Sequence, residues 1–208
     1  MYKLYYNPGA CSMAVHVILN ELDQKVTLER GHDDNYQPTK ELLKVNSRGA
    51  VPVLVDDGHV VREGAAIILH LLGKHKNSLL PASGFERATA LEWLMFGNAT
   101  LHPAYARAFG AFKNFTGDTQ EKVLAAAVTQ INKLWEEVDS KLANSEYICG
   151  KELTAADILL TVIANWSVKV SSAIKLGENT KRMLRKVIAR PSYQKALATE
   201  QVEYKAAA

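Results

Sequence analysis

Near residue 80 the spacing of apolar residues changes, and this change limits what the chain can fold into more than any other feature. Before it, runs of aromatic and β-branched residues alternate with helical stretches. Tyr2–Asn7 reads as a strand stopped by Pro8-Gly9-Ala10. Ser12–Leu22 then puts Ala14, Val17, Ile18 and Leu22 on one helical face, which Met13, Val15 and Leu19 widen. Val26–Glu29 is a short second strand, so the opening is a βαβ unit whose strands are expected to run parallel. Lys40–Val45, after Pro38, predicts a short helix. Val51–Val55 and His59–Val61 flank Asp56-Asp57-Gly58, a hairpin signal, and Gly64–Lys74 follows as an apolar helix.

The stretch 77–84, with Pro81 and Ser83, reads as a linker. After it the pattern stays helical. Over Glu121–Leu142 the apolar residues Leu124, Ala127, Val128, Ile131, Leu134, Trp135, Val138 and Leu142 step by three and four. Thr154-Ala155-Ala156-Asp157 has the form of a capping box, with Leu153 and Ile158 at the positions of a hydrophobic staple. Ile158–Trp166 and Lys181–Ala189 are further helices, Pro191 begins the last, and Ala206–Ala208 reads as a frayed tail. The expectation is a mixed α/β domain over 1–76, a linker over 77–84 and an all-helical domain over 85–208.

Composition narrows the function classes. A net charge of +3, from 25 basic and 22 acidic residues, is too small for a nucleic-acid surface unless gathered on one face. The densest apolar run, Gly64–Gly73, is about half the length that spans a bilayer and contains His70. Met1–Tyr6 lacks the basic and apolar regions of a signal peptide. Only two cysteines, Cys11 and Cys149, are present and far apart, so neither a disulfide framework nor a metal cluster is expected. Free thiols in a cytoplasmic protein are the expectation.

Four places could carry chemistry. Cys11 enters the first helix, where unpaired N–H groups favour the thiolate and would pull its pKa towards roughly 4–7.5; the alternative is a small apolar filler. Proline at Val51-Pro52 cannot donate to a ladder, so the segment is expected at an edge or in a special turn. A cis bond there would turn the Val51 backbone out towards an extended peptide ligand, and an ordinary trans proline stays open. At Glu63-Gly64, a ligand carboxylate could approach the helix N-terminus while Glu63 accepts from an ammonium; otherwise Glu63 is a capping carboxylate. His102 lies among apolar neighbours in the helical part and is either a functional base or a packing residue. His16, His59, His70 and His75 read as packing or surface residues, and Cys149 as structural.

Together these segments resemble the glutathione transferase superfamily, and within it the bacterial beta class. The resemblance is carried by Lys3-Leu4-Tyr5-Tyr6-Asn7-Pro8-Gly9-Ala10-Cys11-Ser12, by Asn46-Ser47-Arg48-Gly49-Ala50-Val51-Pro52-Val53-Leu54, and by Arg62-Glu63-Gly64-Ala65-Ala66-Ile67. It continues through Trp93-Leu94, Leu101-His102 and Ile148-Cys149-Gly150 to Thr154-Ala155-Ala156-Asp157. It implies a thioredoxin-like N-terminal domain in the order βαβαββα, an all-helical C-terminal domain, a homodimer and a detoxifying enzyme. It also implies that Val51, beside cis Pro52, pairs with the cysteinyl backbone of glutathione, while Glu63 and the Gly64 N–H hold the γ-glutamyl end. Cys11 would meet the sulfur and can form a mixed disulfide with it. His102 would reach over from the helical domain, and Thr154 and Asp157 would be structural.

The implied reaction joins the glutathione thiolate to a small electrophile, with glutathione as co-substrate and no metal. Leu101, Tyr105, Phe109 and Trp166 are candidates for the electrophile pocket, or core residues. A ligand- or partner-binding protein with little turnover and a glutathione-dependent isomerase or dehalogenase remain open on the same fold. Two departures from the class stand out. Met95 occupies a position where an asparagine is usual, and the loop after the second strand has no assignable lysine for the glycine carboxylate.

Overall fold

The computed structural model describes residues 1–207. Strand β1 (Tyr2–Tyr6) leads through helix α1 (Ser12–Glu21) to strand β2 (Val26–Arg30), which pairs parallel to β1 in the register Leu4↔Leu28. Helix α2 (Lys40–Val45) begins at Thr39, whose hydroxyl accepts from the Leu42 N–H. Strands β3 (Val53–Asp56) and β4 (His59–Arg62) form the hairpin. Asp57 and Gly58 both take positive φ (47° and 88°), the conformation a two-residue turn of matching twist requires. Helix α3 (Gly64–Lys74) closes the motif.

The sheet order is β2-β1-β3-β4. β3 is therefore paired on both sides, with β1 and with β4, so of the two settings expected for Pro52 the edge does not form and the special turn, with its cis bond, does. The ladder begins at Val53, after the proline, so Pro52 is spared from donating.

Residues Met1–Leu79 and Ala189–Glu203 form one compact unit; Leu80–Ile188 and the tail from Tyr204 form the other. The last helix, α10 (Pro191–Glu200), thus packs in the N-terminal unit rather than with residues 85–188 as expected. The physical reason lies in α1. Every residue from Ser12 to Leu19 is buried, which one sheet face cannot achieve, and α10 covers the side that the sheet leaves open. Polar ties fix the pairing: Arg190 donates to Glu21 through Nε (2.6 Å) and Nη2 (2.8 Å), and Asn20 Nδ2 donates to the Ser192 carbonyl at 3.1 Å.

The helical unit contains α4 (Gly84–Met95), a π-helical segment (Phe96–Leu101), α5 (His102–Asn114), α6 (Gly117–Lys141), α7 (Ala155–Ala164), α8 (Ser167–Val170) and α9 (Glu178–Ile188). On α6 the buried residues Ala127, Val128, Ile131, Leu134, Trp135 and Val138 follow the spacing read from sequence. α7 is buried along its whole length. Its cap is built as the capping motif predicts, because Asp157 Oδ2 accepts from Thr154 N and Oγ1, both at 2.8 Å. Asp157 Oδ1 also accepts from the Ile148 N–H at 2.7 Å, fastening the preceding loop. The tail is tied down rather than frayed as far as Ala207: Lys205 N donates to Asn165 Oδ1, and Arg185 donates to the Ala207 carbonyl. Ala208, the end of the expected fray, lies outside the described residues.

Candidate functional site

Asn7-Pro8-Gly9-Ala10 closes as a turn, with Ala10 N donating to the Asn7 carbonyl at 3.1 Å. Proline presets the second position, and the third needs positive φ, which Gly9 supplies at 67°. The Ser12 hydroxyl spans the turn from the helix side, accepting from Asn7 N (3.1 Å) and donating to Asn7 O (3.2 Å). Cys11 is held between these fixed points as the residue that starts α1 (φ −56°, ψ −24°). Its Sγ donates to the Val51 carbonyl at 3.6 Å.

The electrostatics of Cys11 reverse the sequence expectation. Burial pushes the thiol up to about 11; the backbone N–H groups of Ser12 and Cys11 pull the other way, and the nearby Glu63 charge pushes further up. A half-charge at a helix end does not offset the desolvation of the thiolate at this half-buried residue. The resting residue is a neutral thiol and a hydrogen-bond donor.

Val51 is presented by a second built loop. Gly49 (φ 65°) closes a turn onto the Asn46 carbonyl at 2.9 Å, and the buried Asn46 side chain donates to Ala50 O at 2.8 Å. The Val51-Pro52 bond is cis. Val51 lies outside the paired register of the sheet, and its carbonyl faces Cys11.

Glu63 is no capping carboxylate. It makes no cap hydrogen bond; its carboxylate takes Arg48 Nη2 at 2.7 Å, and its backbone sits at φ 69°, ψ 119°. A non-glycine residue at positive φ costs about 1–3 kcal/mol and marks a place where the surroundings dictate the backbone. The first turn of α3, starting at Gly64, follows directly, and the first N–H groups of a helix lack intrahelical partners. Cys11, Val51 and Glu63 are thus brought together in one unit.

His102 belongs to the helical unit and follows the π-helical segment. Burial lowers its pKa below the usual imidazole value, keeping it neutral near pH 7. Its ring meets Trp166 edge-on at 5.0 Å between centroids. Tyr105 (5.8 Å) and Phe109 (6.3 Å) approach the same indole. The four pocket candidates separate on burial. Leu101 and Tyr105 are shut off from solvent, and the Tyr105 hydroxyl is bonded to Ser167 Oγ (2.6 Å) and Trp135 Nε1 (2.8 Å). Both are core residues as they stand. Phe109 is 37% exposed, and Trp166 keeps a small exposed edge.

Sequence reasoning missed three contributors. Arg48 steadies Glu63. Gly31 leaves space for Val51: a Cβ there would stand 2.4 Å from Val51 Cγ1. Glu200, at the end of α10, accepts from the Gly9 N–H at 2.9 Å. Only Arg48, inside a quoted motif, carried a local signal. The loop 31–39 contains no lysine; it presents His32, Asp33, Asp34 and Asn35, with Asp33 Oδ1 accepting from Asn35 N and Gln37 N.

Comparison with known proteins agrees over both units. Residues 4–79 match the glutathione S-transferase N-terminal domain family, and residues 90–191 the C-terminal domain family. The chain is 30% identical to the glutathione S-transferase GstA of Escherichia coli O157:H7 over 211 aligned residues, covering 95% of this chain and 98% of that one. It superposes on a glutathione S-transferase from Xylella fastidiosa with a TM-score of 0.88 at 26% identity, covering 98% and 100% of the two chains. A bacterial beta class glutathione S-transferase from Sphingomonas chungbukensis gives 0.81 at 27% identity, covering 97% and 100%.

Proposed function

The chain belongs to the glutathione S-transferase family, and from that premise we propose that it binds reduced glutathione and joins the sulfur to small electrophiles. In this reading the Val51 backbone, beside Pro52, pairs with the cysteinyl backbone of the tripeptide as an added strand. Glu63 accepts from the γ-glutamyl ammonium, and the Gly64 N–H meets its carboxylate at the helix start. The observation that carries the reading is the Cys11 thiol, 3.6 Å from the Val51 carbonyl and within reach of the Glu63 charge.

Chemistry follows from the protonation states. Cys11, a thiol at rest, turns its S–H from the Val51 carbonyl to the glutathione sulfur and donates to it, favouring the bound thiolate. His102, neutral because it is buried, accepts the proton that glutathione loses. The thiolate attacks the electrophilic carbon; a C–S bond forms, and the leaving group departs with its electron pair. Phe109 and Trp166 line the apolar side offered to the electrophile. A homodimer in the cytoplasm is the assembly proposed, after the family pattern.

A half-buried thiol whose pKa is pushed up to about 11 favours conjugation over exchange. Thiol exchange requires the Cys11 thiolate to attack glutathione disulfide, one S–S bond forming as another breaks and glutathione leaving as thiolate. Titrating glutathione by calorimetry, then weighing the protein after reaction with glutathione disulfide, tests both routes. Binding with a slow mass gain of one glutathione, absent in Cys11→Ala, is the expected result. Neither binding nor adduct would overturn the reading and favour a ligand-binding protein on the same fold.

A further inference from the structure

From Gly84 to Asn114 the backbone stays helical through α4, the π-helical segment and α5, and Pro103 stands inside that run. Proline has no N–H to give, and in an unbroken α-helix its ring meets the carbonyl four residues back, here that of Ala99. The segment Phe96–Leu101 is where the chain absorbs this conflict. The amide just before the proline, that of His102, passes over the Asn98 carbonyl and donates to Gly97 O, five residues back. The wide turn holds one residue more than an α turn, which rotates whatever follows by about 100° against a regular helix.

That rotation decides what each part of the run packs on. α4 and the π-helical segment lie on α7, whereas α5 lies on α6. His102 is the first residue after the wide turn. Its ring makes no hydrogen bond among the described residues, so no polar partner aims it. The aim follows from the backbone and from the edge-on contact with Trp166, which stands just past the end of α7. Both supports, the seat of the wide turn and the indole, thus come from α7, which is buried along its whole length. Burial is also what lowers the His102 pKa, so that value reports how deeply the ring is covered.

We propose that Pro103 is a positioning residue for the base: by holding the wide turn open it sets the imidazole of His102 against Trp166. The proposal rests on the reading of His102 as the acceptor of the glutathione proton. Helix energetics separate this role from a structural one. Proline is the least favourable residue inside a helix, and alanine at 103 restores an N–H, removes the ring and lets the turn close to α-type bonding. A proline kept for the fold would lose stability on replacement, and one kept for the site would lose turnover instead.

The test uses the full chain. Proton NMR follows the titration of the His102 ring, assigned by its absence in His102→Gln, alongside the melting temperature and steady-state conjugation of glutathione to chlorodinitrobenzene. Pro103→Ala should melt at or above the parent temperature. Its kcat should fall by about tenfold, part of the roughly hundredfold or more that a positioned base supplies, with the glutathione KM within about twofold of the parent's. The His102 pKa should rise towards the ordinary imidazole value as the ring loses its cover. Adding Pro103→Ala to His102→Gln should cost no further turnover, because both changes act through one side chain. Parent-like turnover and titration in Pro103→Ala would overturn the proposal. A lowered melting temperature would overturn it too, by marking the proline as a residue of the fold. If His102→Gln turns over like the parent, the proposed role of His102 fails, yet the ring titration in Pro103→Ala still decides whether the proline places it.

Discussion

Gly31→Ala should damage the proposed glutathione site through a residue that never meets ligand. The added Cβ would lie 2.4 Å from Val51 Cγ1 and 3.2 Å from Leu42 Cδ2. Carbon atoms in contact prefer about 3.5–4.0 Å, so the overlap with Val51 is roughly an ångström. Leu42 cannot yield, being wholly buried in a cluster with Tyr5 and Val53. Val51 is the side that moves, and its loop carries the carbonyl facing Cys11. Overpacking of this kind costs about 1–3 kcal/mol, which in a chain of this size lowers the melting temperature by about 2–4 °C per kcal/mol. If half of that strain appears in the ligand-binding conformation, the glutathione Kd rises by about two- to tenfold. Calorimetric titration and thermal denaturation measure the two effects. Adding Val51→Ala to Gly31→Ala removes the clashing methyls and should restore much of the lost stability. Gly73→Ala is the control, because nothing lies within 4 Å of its Cβ position and it sits near the end of α3; it should be neutral or stabilise by up to about 1 kcal/mol. A Gly31→Ala protein that melts and binds like the parent would refute the reasoning.

Three further outcomes are expected. Alkylation of Cys11 in a Cys149→Ser background should quicken by about tenfold per pH unit between about pH 7 and 9, since a thiol pushed up to about 11 is far from its titration midpoint; a plateau near neutral pH would instead show a depressed pKa. Tyr105→Phe should lower stability by about 1–3 kcal/mol, by stranding Ser167 and Trp135, and leave glutathione affinity unchanged; a loss of affinity would return Tyr105 to the pocket. Burial raises the pKa of Asp56, but Lys74 and His70 outweigh it and hold the carboxyl below the usual range. That stabilisation is present above the unfolded carboxylate pKa and is lost as pH falls through the lower folded value. Asp56→Asn should therefore flatten the acid side of the stability profile, and an unchanged acid slope would contradict the assignment.

Local patterns wrote much of this protein into its sequence. The period change near residue 80 fixed the passage from mixed sheet to helices, because strand and helix periodicity are properties of neighbouring residues. Lys40–Val45, Gly64–Lys74 and the Pro191 start stand where the pattern put them, and the Thr154–Asp157 cap forms because its partners are three residues apart. Cys11, Val51 and Glu63 were legible as candidates for the same reason, since each sits in a turn or at a helix start.

What depended on distant packing was not legible. Pro52 left an edge and a special turn open; only the tertiary structure chose the turn, ahead of a β3 that is central because β4 lies beside it. The protonation of Cys11 followed its enclosure and not its place at a helix end. Leu101 and Tyr105 could not be told from pocket residues until burial was known. α10 read as one more helix of the second domain, and only the tertiary structure set it against α1, with Glu200 on the amide of Gly9. A sequence pattern shows which face of an element must be covered; which distant element covers it is decided by the packing of the whole chain.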